Sequence, residues 1–422
     1  MCRKPRANAG RITAVEIIHE GRWTRDDRAG IPWPRLPFEV PPNCPAIEVE
    51  LAVGHPDAVV DLGCEGAAGW RGWSGGARTR YAITPAAATP GYLPGEPEPG
   101  LWHVVVGLHR LPESGVDYTV TVRTGGRLEV EPTRPAPDPP ARPAPRALPA
   151  AAGTRWVAAD LHAHTLHSDG ELTVPELAAR AVAAGLAALA VTDHNTTSHH
   201  AELAEVGRRY GIALIPGQEV TTEHGHANAF GDIGWVDFRE PAPRWVETVA
   251  ARGGLLSVNH PLAADCAWRH PLPVRPPLAE VWHSSWLAPT WGGPLAWWEA
   301  WGTDVTPIGG SDWHAPDGGT TLGRPTTWVA VDAAAHGPDE LGPAVLAGLA
   351  AGRTAVSAGR DGPVLLPVDG ELVALGAAGA LVLGGGRRLA VRSDRDALPA
   401  GPGGQVLCGH GGEVLGLAAA PS

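Results

Sequence analysis

From Arg155 onward the chain repeats one pattern: an amphipathic stretch, a glycine, a short apolar run, then polar residues rich in imidazole and carboxylate. Thr173-Val174-Pro175-Glu176 reads as a capping box with proline in the first turn, and its helix ends at Gly185. Leu189-Ala190-Val191-Thr192 then delivers Asp193 and His194. A helix over Ala201–Tyr210 stops at Gly211, and Ile212-Ala213-Leu214-Ile215 leads to Gln218-Glu219. Trp245–Arg252, Gly253-Gly254 and Leu255–Val258 deliver Asn259-His260 in the same way. Finally Pro294–Trp301, Gly302 and Pro307–Gly310 deliver Ser311-Asp312-Trp313-His314. Strands alternating with helices imply parallel pairing through right-handed crossovers, with polar residues gathered at one mouth. The expected fold class is α/β, a distorted barrel of some seven strands.

The first strand of that series is the most heavily loaded. Trp156-Val157-Ala158-Ala159 runs into Asp160-Leu161-His162-Ala163-His164-Thr165-Leu166-His167-Ser168-Asp169-Gly170. Side chains alternate in an extended segment, so His162 and His164 point the same way. Collected from the strand ends, the candidate metal ligands are His162, His164, Asp169, His194, Glu219, His226, His260, Asp312 and His314. Imidazoles mixed with carboxylates suit Zn²⁺, Mn²⁺ or Fe²⁺ better than Ca²⁺ or Mg²⁺. Nine donors exceed one tetrahedral shell, so two or three divalent ions are expected, with Glu219 able to bridge.

Residues up to 130 read as a β-sandwich leader domain, with alternation in Ile47–Val53 and Tyr118–Val122 and an apolar, central-strand run at Leu101–Val106. Gly72-Trp73-Ser74-Gly75-Gly76 has the spacing of a nucleophile elbow but lacks the strand-turn-helix context, so it reads as a glycine-rich loop. Between Glu131 and Ala150 stand eight prolines. The expectation for 131–153 is a semi-rigid extended spacer, followed by a catalytic barrel over 154–363. From 364 to 422 the glycine-punctuated pieces read as a small β appendage.

Charge and cysteine usage exclude several partners. The net charge of −12, with no basic run beyond the first residues, argues against long duplex nucleic acid. Small anionic substrates stay compatible if metal ions supply positive charge. Five scattered cysteines without a Cys-x-x-Cys suit a reducing cytosol, and neither a membrane span nor a signal peptide is expected. Lys4 is the sole lysine, which leaves the barrel without a lysine-bridged metal pair.

In order and composition the motifs His162-Ala163-His164, Ser168-Asp169-Gly170, Thr192-Asp193-His194, Glu219, His226, Asn259-His260-Pro261 and Ser311-Asp312-Trp313-His314 resemble the polymerase-and-histidinol-phosphatase (PHP) domain family of metal-dependent hydrolases. Arg71–Arg78 and Thr89–Gly95 resemble the leader of a branch named after a carbaryl-hydrolysing member. The resemblance implies a first ion on His162, His164, Glu219 and Asp312, a second on Glu219, His226 and His260, and a third on Asp169, His194 and His314. It favours His226 over His224 as the ligand. His167, His199 and His200 match no ligand position and are taken as solvated. The implied activity is that of a phosphoesterase or phosphodiesterase, in which a metal-bridging hydroxide attacks a small phosphate ester or short nucleotide. A carbamate or carboxylic-ester hydrolase and a non-catalytic metal-binding module are the alternatives.

Two further residues are candidates for the chemistry itself. Asp193, beside a ligand like Asn259, could orient an imidazole or simply cap the strand end. Arg360 could clamp a substrate phosphate or carboxylate, or lie on the surface. Of the tryptophans at 268, 282, 286, 291, 297, 298, 301 and 313, most are assigned to packing and one or two to the wall of a substrate pocket. The oligomeric state is not legible.

Overall fold

A computed structural model describes residues 14–126, 130, 134–264, 266–284, 292–302 and 304–419. The basic N-terminus, Glu131, Trp286 and Trp291 lie outside them. The chain divides into two compact units at residues 132 and 133.

The first unit contains β1 (Val15–Trp23), α1 (Arg25–Gly30), β2 (Arg35–Val40), β3 (Ile47–Val53), β4 (Val59–Gly66), β5 (Gly69–Gly75), β6 (Arg80–Ile83), β7 (Gly100–Arg110) and β8 (Val116–Thr124). Two four-stranded antiparallel sheets, β1-β8-β3-β6 and β2-β7-β4-β5, share one core that includes Val49, Leu62, Trp102 and Val120. The apolar strand β7 sits between two partners, where both its edges are hydrogen-bonded. Residues 72–75 belong to β5 rather than to a loop. Gly72, at φ 142°, lets the turn carrying Gly91 approach, because a Cβ there would lie 2.3 Å from the Gly91 carbonyl oxygen. Ser74 is buried and its Oγ lies 2.9 Å from the Tyr92 hydroxyl, so it has neither a base nor an open face.

The second unit contains β9 (Thr154–Asp160), α2 (Val174–Ala183), β10 (Ala188–Val191), α3 (His200–Tyr210), β11 (Ala213–Thr222), β12 (Gly225–Phe230), α4 (Ala242–Ala251), β13 (Leu255–Val258), β14 (Leu278–His283), α5 (Gly293–Trp301) and β15 (Thr306–Gly310). It continues with β16 (Thr326–Asp332), α6 (Gly337–Ala350), β17 (Thr354–Ser357), β18 (Val364–Val368), β19 (Glu371–Leu375), β20 (Leu381–Gly384), β21 (Arg387–Ala390), β22 (Arg395–Pro399), β23 (Gln405–Cys408) and β24 (Val414–Ala418). The helix boundaries follow their caps: Thr173 closes a capping box with Glu176, and Gly211 at φ 65° ends α3.

The main sheet runs β15-β14-β13-β12-β11-β10-β9-β16-β17-β24-β23-β20-β21. It is an α/β fold, but the helix-strand alternation is broken. Strands β11 and β12 form an antiparallel hairpin across Glu223 and His224. A parallel crossover needs about a dozen residues, and two residues permit only a hairpin. Strand β16 is also antiparallel to β9. A bridge between Ala163 and Trp313 brings the residues after β15 beside those after β9.

Strand periodicity splits the packing between two cores. Trp156, Ala158, Leu189 and Val191 face the layer of α2 and α3, whereas Val157, Ala159, Ala188 and Ala190 face inward with Ile215, Leu278 and Ile308.

Two expectations about the flanks are corrected. The proline-rich stretch forms no helix or strand, yet it is strapped to this unit and is not a spacer. Arg134 donates to the Glu171 carbonyl (2.6 Å) and pairs with Glu176 (2.9 Å). Arg142 reaches the carbonyls of Leu186 and Gly211, just past the ends of α2 and α3, and Arg146 reaches those of Arg360 and Gly362. Prolines cannot donate main-chain hydrogen bonds, so the arginines tie the strap down. The C-terminal segment is no appendage either. Strand β24 pairs with β17, Val364 and Leu366 enter the α2–α3 core, and Leu417 packs with Val356, Trp282 and Trp298. Among the described residues no helix is long and apolar enough to cross a membrane.

Candidate metal centre

Each of the nine donors comes from a strand of the main sheet or the loop after it. Glu219 lies at their centre. Its Oε1 is 3.3 Å from His162 Nε2, 3.2 Å from His226 Nδ1 and 3.2 Å from His260 Nε2. Its Oε2 is 3.4 Å from His164 Nε2 and 2.9 Å from His194 Nδ1. Asp312 Oδ1 lies 3.2 Å from His162 Nε2 and 2.9 Å from His164 Nε2. Asp169 Oδ1 faces His194 Nε2 at 3.6 Å and His314 Nε2 at 3.3 Å. The structure thus brings all nine together. His224 stays on an exposed rim beside Glu223, Arg269 and His270.

The donors fall into overlapping groups of a size that holds cations: His162, His164, Glu219 and Asp312; His194, Glu219 and His226; and His164, Asp169, His194 and His314. Cys266 joins His226 and His260 in another, its Sγ 3.4 Å from His260 Nδ1. Glu219 is fully buried, and neither its Oε2 nor His162 Nε2 makes a hydrogen bond. Buried polar atoms without partners cost about 1–3 kcal/mol each, and a shared cation would satisfy both. His260 and Asp312 also adopt left-handed φ of 23° and 49°, a strain that clusters at functional sites. The residues therefore fit divalent ions.

Electrostatics inside the cluster are strongly coupled. Burial opposes charge on Glu219, but His162, His194 and His226 outweigh it and hold the carboxyl well below its usual range. His194 is likewise penalised by burial, yet Asp169 and Glu219 raise it to about 9. His164 goes the other way: burial, with His314 and His194 beside it, lowers it to about 4.

Several expectations need correction. Asp193 orients no ligand imidazole. Its carboxylate accepts from Thr165 N (2.8 Å), Thr165 Oγ1 (2.7 Å) and Ser168 Oγ (2.7 Å) and faces His199 Nδ1 (3.2 Å). It anchors the loop that carries Asp169. Arg360 is not a substrate clamp, because its guanidinium is committed to the Ala144 carbonyl on the strap and to Asp361. His199 and His200 are not solvated: both donate to the Gly217 carbonyl, and His199 also reaches that of Val191. His167 lies 2.7 Å from Ser198 Oγ and 3.2 Å from Glu202. Trp282, Trp298 and Trp313 are packed in core clusters, and Trp297 stacks on Trp301.

Residues 160–260 match the PHP domain, a span that carries seven of the nine donors. The chain thus carries a PHP-domain match over that span. It is 39% identical over 105 residues to the 5'-3' exoribonuclease Rnm of Salmonella typhimurium, covering 23% of this chain and 36% of that protein. It is 43% identical over 84 residues to a 3',5'-nucleoside bisphosphate phosphatase of Chromobacterium violaceum, covering 20% of this chain and 29% of that protein. The chain thus spans about a third of the length of these relatives. Among solved structures it is similar to a two-domain protein of Bacteroides vulgatus containing a predicted PHP-like metal-dependent phosphoesterase. That match has 18% identity and a TM-score of 0.39, over 67% of this chain and 92% of that one.

Proposed function

We propose that the chain is a metal-dependent hydrolase, a phosphoesterase or phosphodiesterase acting on a small anionic phosphate ester or a short nucleotide. The carrying observation is the buried carboxylate of Glu219 facing five imidazoles, with Asp169 and Asp312 completing the ring. The names of the exoribonuclease and nucleotide-phosphatase relatives support the same chemistry. In this reading the site lies on a distorted (β/α)7 barrel preceded by a β-sandwich. The free cysteines at 44, 64, 266 and 408 accord with a cytoplasmic location.

Two or three divalent ions, Zn, Mn or Fe, would supply an acidified water and the positive charge that a developing oxyanion requires. His162, His164, Glu219 and Asp312 would hold the first, Glu219, His226 and His260 the second, and Asp169, His194 and His314 the third. Around them the chain works by fixing its own groups. Asn259 Nδ2 donates to Glu219 Oε1 at 2.9 Å and so limits how the carboxylate can turn. Asp193 holds Thr165 and Ser168, which fixes the start of the loop bearing Asp169.

Full-length protein loaded in turn with Zn²⁺, Mn²⁺ or Fe²⁺ is to be assayed on an aryl phosphate, a phosphodiester and an aryl carbamate. Phosphoester cleavage that a chelator abolishes is expected; if no ion gives it, the reading fails, and carbamate cleavage alone would point to the carbaryl-hydrolase-like branch.

Loading should also release protons. An imidazole must be neutral to bind a cation, and His194, raised to about 9, carries a proton in the metal-free protein at pH 7. His162 and His260 are raised as well: burial opposes their charge, but Glu219 and Asp312 outweigh it at His162, and Cys266 and Glu219 outweigh it at His260. Metal affinity should therefore fall as pH falls below about 9. Calorimetry of Zn²⁺ binding in buffers of different ionisation enthalpy measures this directly, and zero proton release at pH 7 would contradict it.

A further inference from the structure

Strand β14 carries two polar side chains that a reading of strand ends passes over. Glu280 and His283 are three residues apart, and an odd separation in a regular strand sends side chains to opposite faces. The pairing of β14 with β15 is not regular. It runs Leu278–Thr306, Ala279–Pro307 and Glu280–Ile308, skips Val281, and resumes at Trp282–Gly309 and His283–Gly310. A bulge of this kind shifts the alternation by one residue. The packing records the shift: the adjacent residues Val281 and Trp282 both enter the cluster with Trp298 and Leu417. Glu280 and His283 both turn to the donors.

Their contacts there are complementary. Glu280, fully buried, places Oε1 3.1 Å from His162 Nδ1 and accepts the main-chain N–H of His260 on Oε2 at 2.8 Å. With Nδ1–H donated to Glu280, Nε2 is the nitrogen that faces Glu219 and Asp312, and it is the one left to bind a cation once its own proton is lost. His283 Nε2 lies 3.3 Å from Asp312 Oδ2. That contact occupies one carboxylate oxygen and leaves Oδ1 on the side of His162 and His164. Room for the arrangement is kept by Gly310, where a Cβ would come 2.3 Å from Glu280 Oε1 and 2.4 Å from His162 Cβ.

We infer that Glu280 and His283 are positioning residues for one ion of the cluster, the ion assigned to His162, His164, Glu219 and Asp312. Glu280 fixes the ring of His162, His283 fixes the carboxylate of Asp312, and the β14 bulge exists to aim both. This rests on reading the cluster as a metal centre. It goes further in assigning two residues outside the nine donors and in tying them to one ion group rather than to all three.

The test is metal binding by the full chain, stripped with a chelator and titrated with Zn²⁺, with ions per chain counted by mass spectrometry after desalting. Glu280→Gln and His283→Asn are each expected to weaken one ion by about 10–100-fold, so that one fewer ion is retained at limiting Zn²⁺. The remaining ions and the melting of the metal-free protein should be unchanged. Glu280→Asp, which keeps a carboxylate, should recover part of the loss, and His314→Ala should remove a different ion, additive with Glu280→Gln. Wild-type ion count and affinity in both Glu280→Gln and His283→Asn would overturn the inference. A wild-type chain that binds no ion would instead overturn the metal-centre reading itself. Should Glu280→Gln fail to fold, His283→Asn decides by the same count: loss of one ion supports the assignment, and wild-type retention overturns it.

Discussion

Replacing Glu219 by glutamine is expected to empty the centre of ions and to lower phosphoester turnover on the order of 10³-fold or more. The carboxylate presents two anionic oxygens to five ring nitrogens at 2.9–3.4 Å. An amide keeps the shape but offers one neutral oxygen and two N–H donors, which face nitrogens that must themselves be free to bind a cation. Each tenfold in rate is about 1.4 kcal/mol, so the expected loss is several kcal/mol, what removing a charge shared between ions should cost. Metal counting beside kcat/KM checks it. A Glu219→Gln protein with its full complement of ions and activity within tenfold of wild type would refute the central role of this residue.

Deleting residues 364–422 is expected to leave no soluble, folded second unit. Removal exposes β17 along the edge that β24 now covers, over Ala355–Ser357. It also takes Val364 and Leu366 out of one core and Leu417 out of another. Losing a large buried aliphatic side chain costs about 2–5 kcal/mol, and three are lost at once against a total stability of about 5–15 kcal/mol. An uncovered strand edge adds a route to aggregation. Expression of residues 134–363, followed by circular dichroism and size exclusion, decides the matter. A monodisperse, cooperatively melting fragment would show that the C-terminal strands are dispensable after all.

How much of this was legible beforehand varies by element. Helices α2 and α3 could be bounded to within a residue or two, because Thr173, Glu176, Gly185 and Gly211 are local signals acting on their own neighbours. The β11–β12 hairpin was missed although the signal was present: two residues between apolar runs cannot hold a crossover. Arg360 illustrates the reverse. The sequence leaves it as a substrate clamp or a surface arginine, and nothing local says that a proline strap more than two hundred residues earlier would occupy it. Asp193 could be singled out by its place beside His194, but its partners, Thr165, Ser168 and His199, are brought to it by the fold.

The chain's own order of residues determined the donor set, since His, Asp and Glu at the ends of short apolar strands form a chemical pattern that survives without coordinates. It also determined the α/β character, because hydrophobic period and glycine stops are written locally. Tertiary structure alone decided which ring faces which oxygen and that Glu280 and His283 join from a bulged strand. Those depend on register and on main-chain irregularity, where a shift of one residue reverses the face a side chain shows. Propensity carries no record of such a shift, which is settled only when neighbouring strands pack.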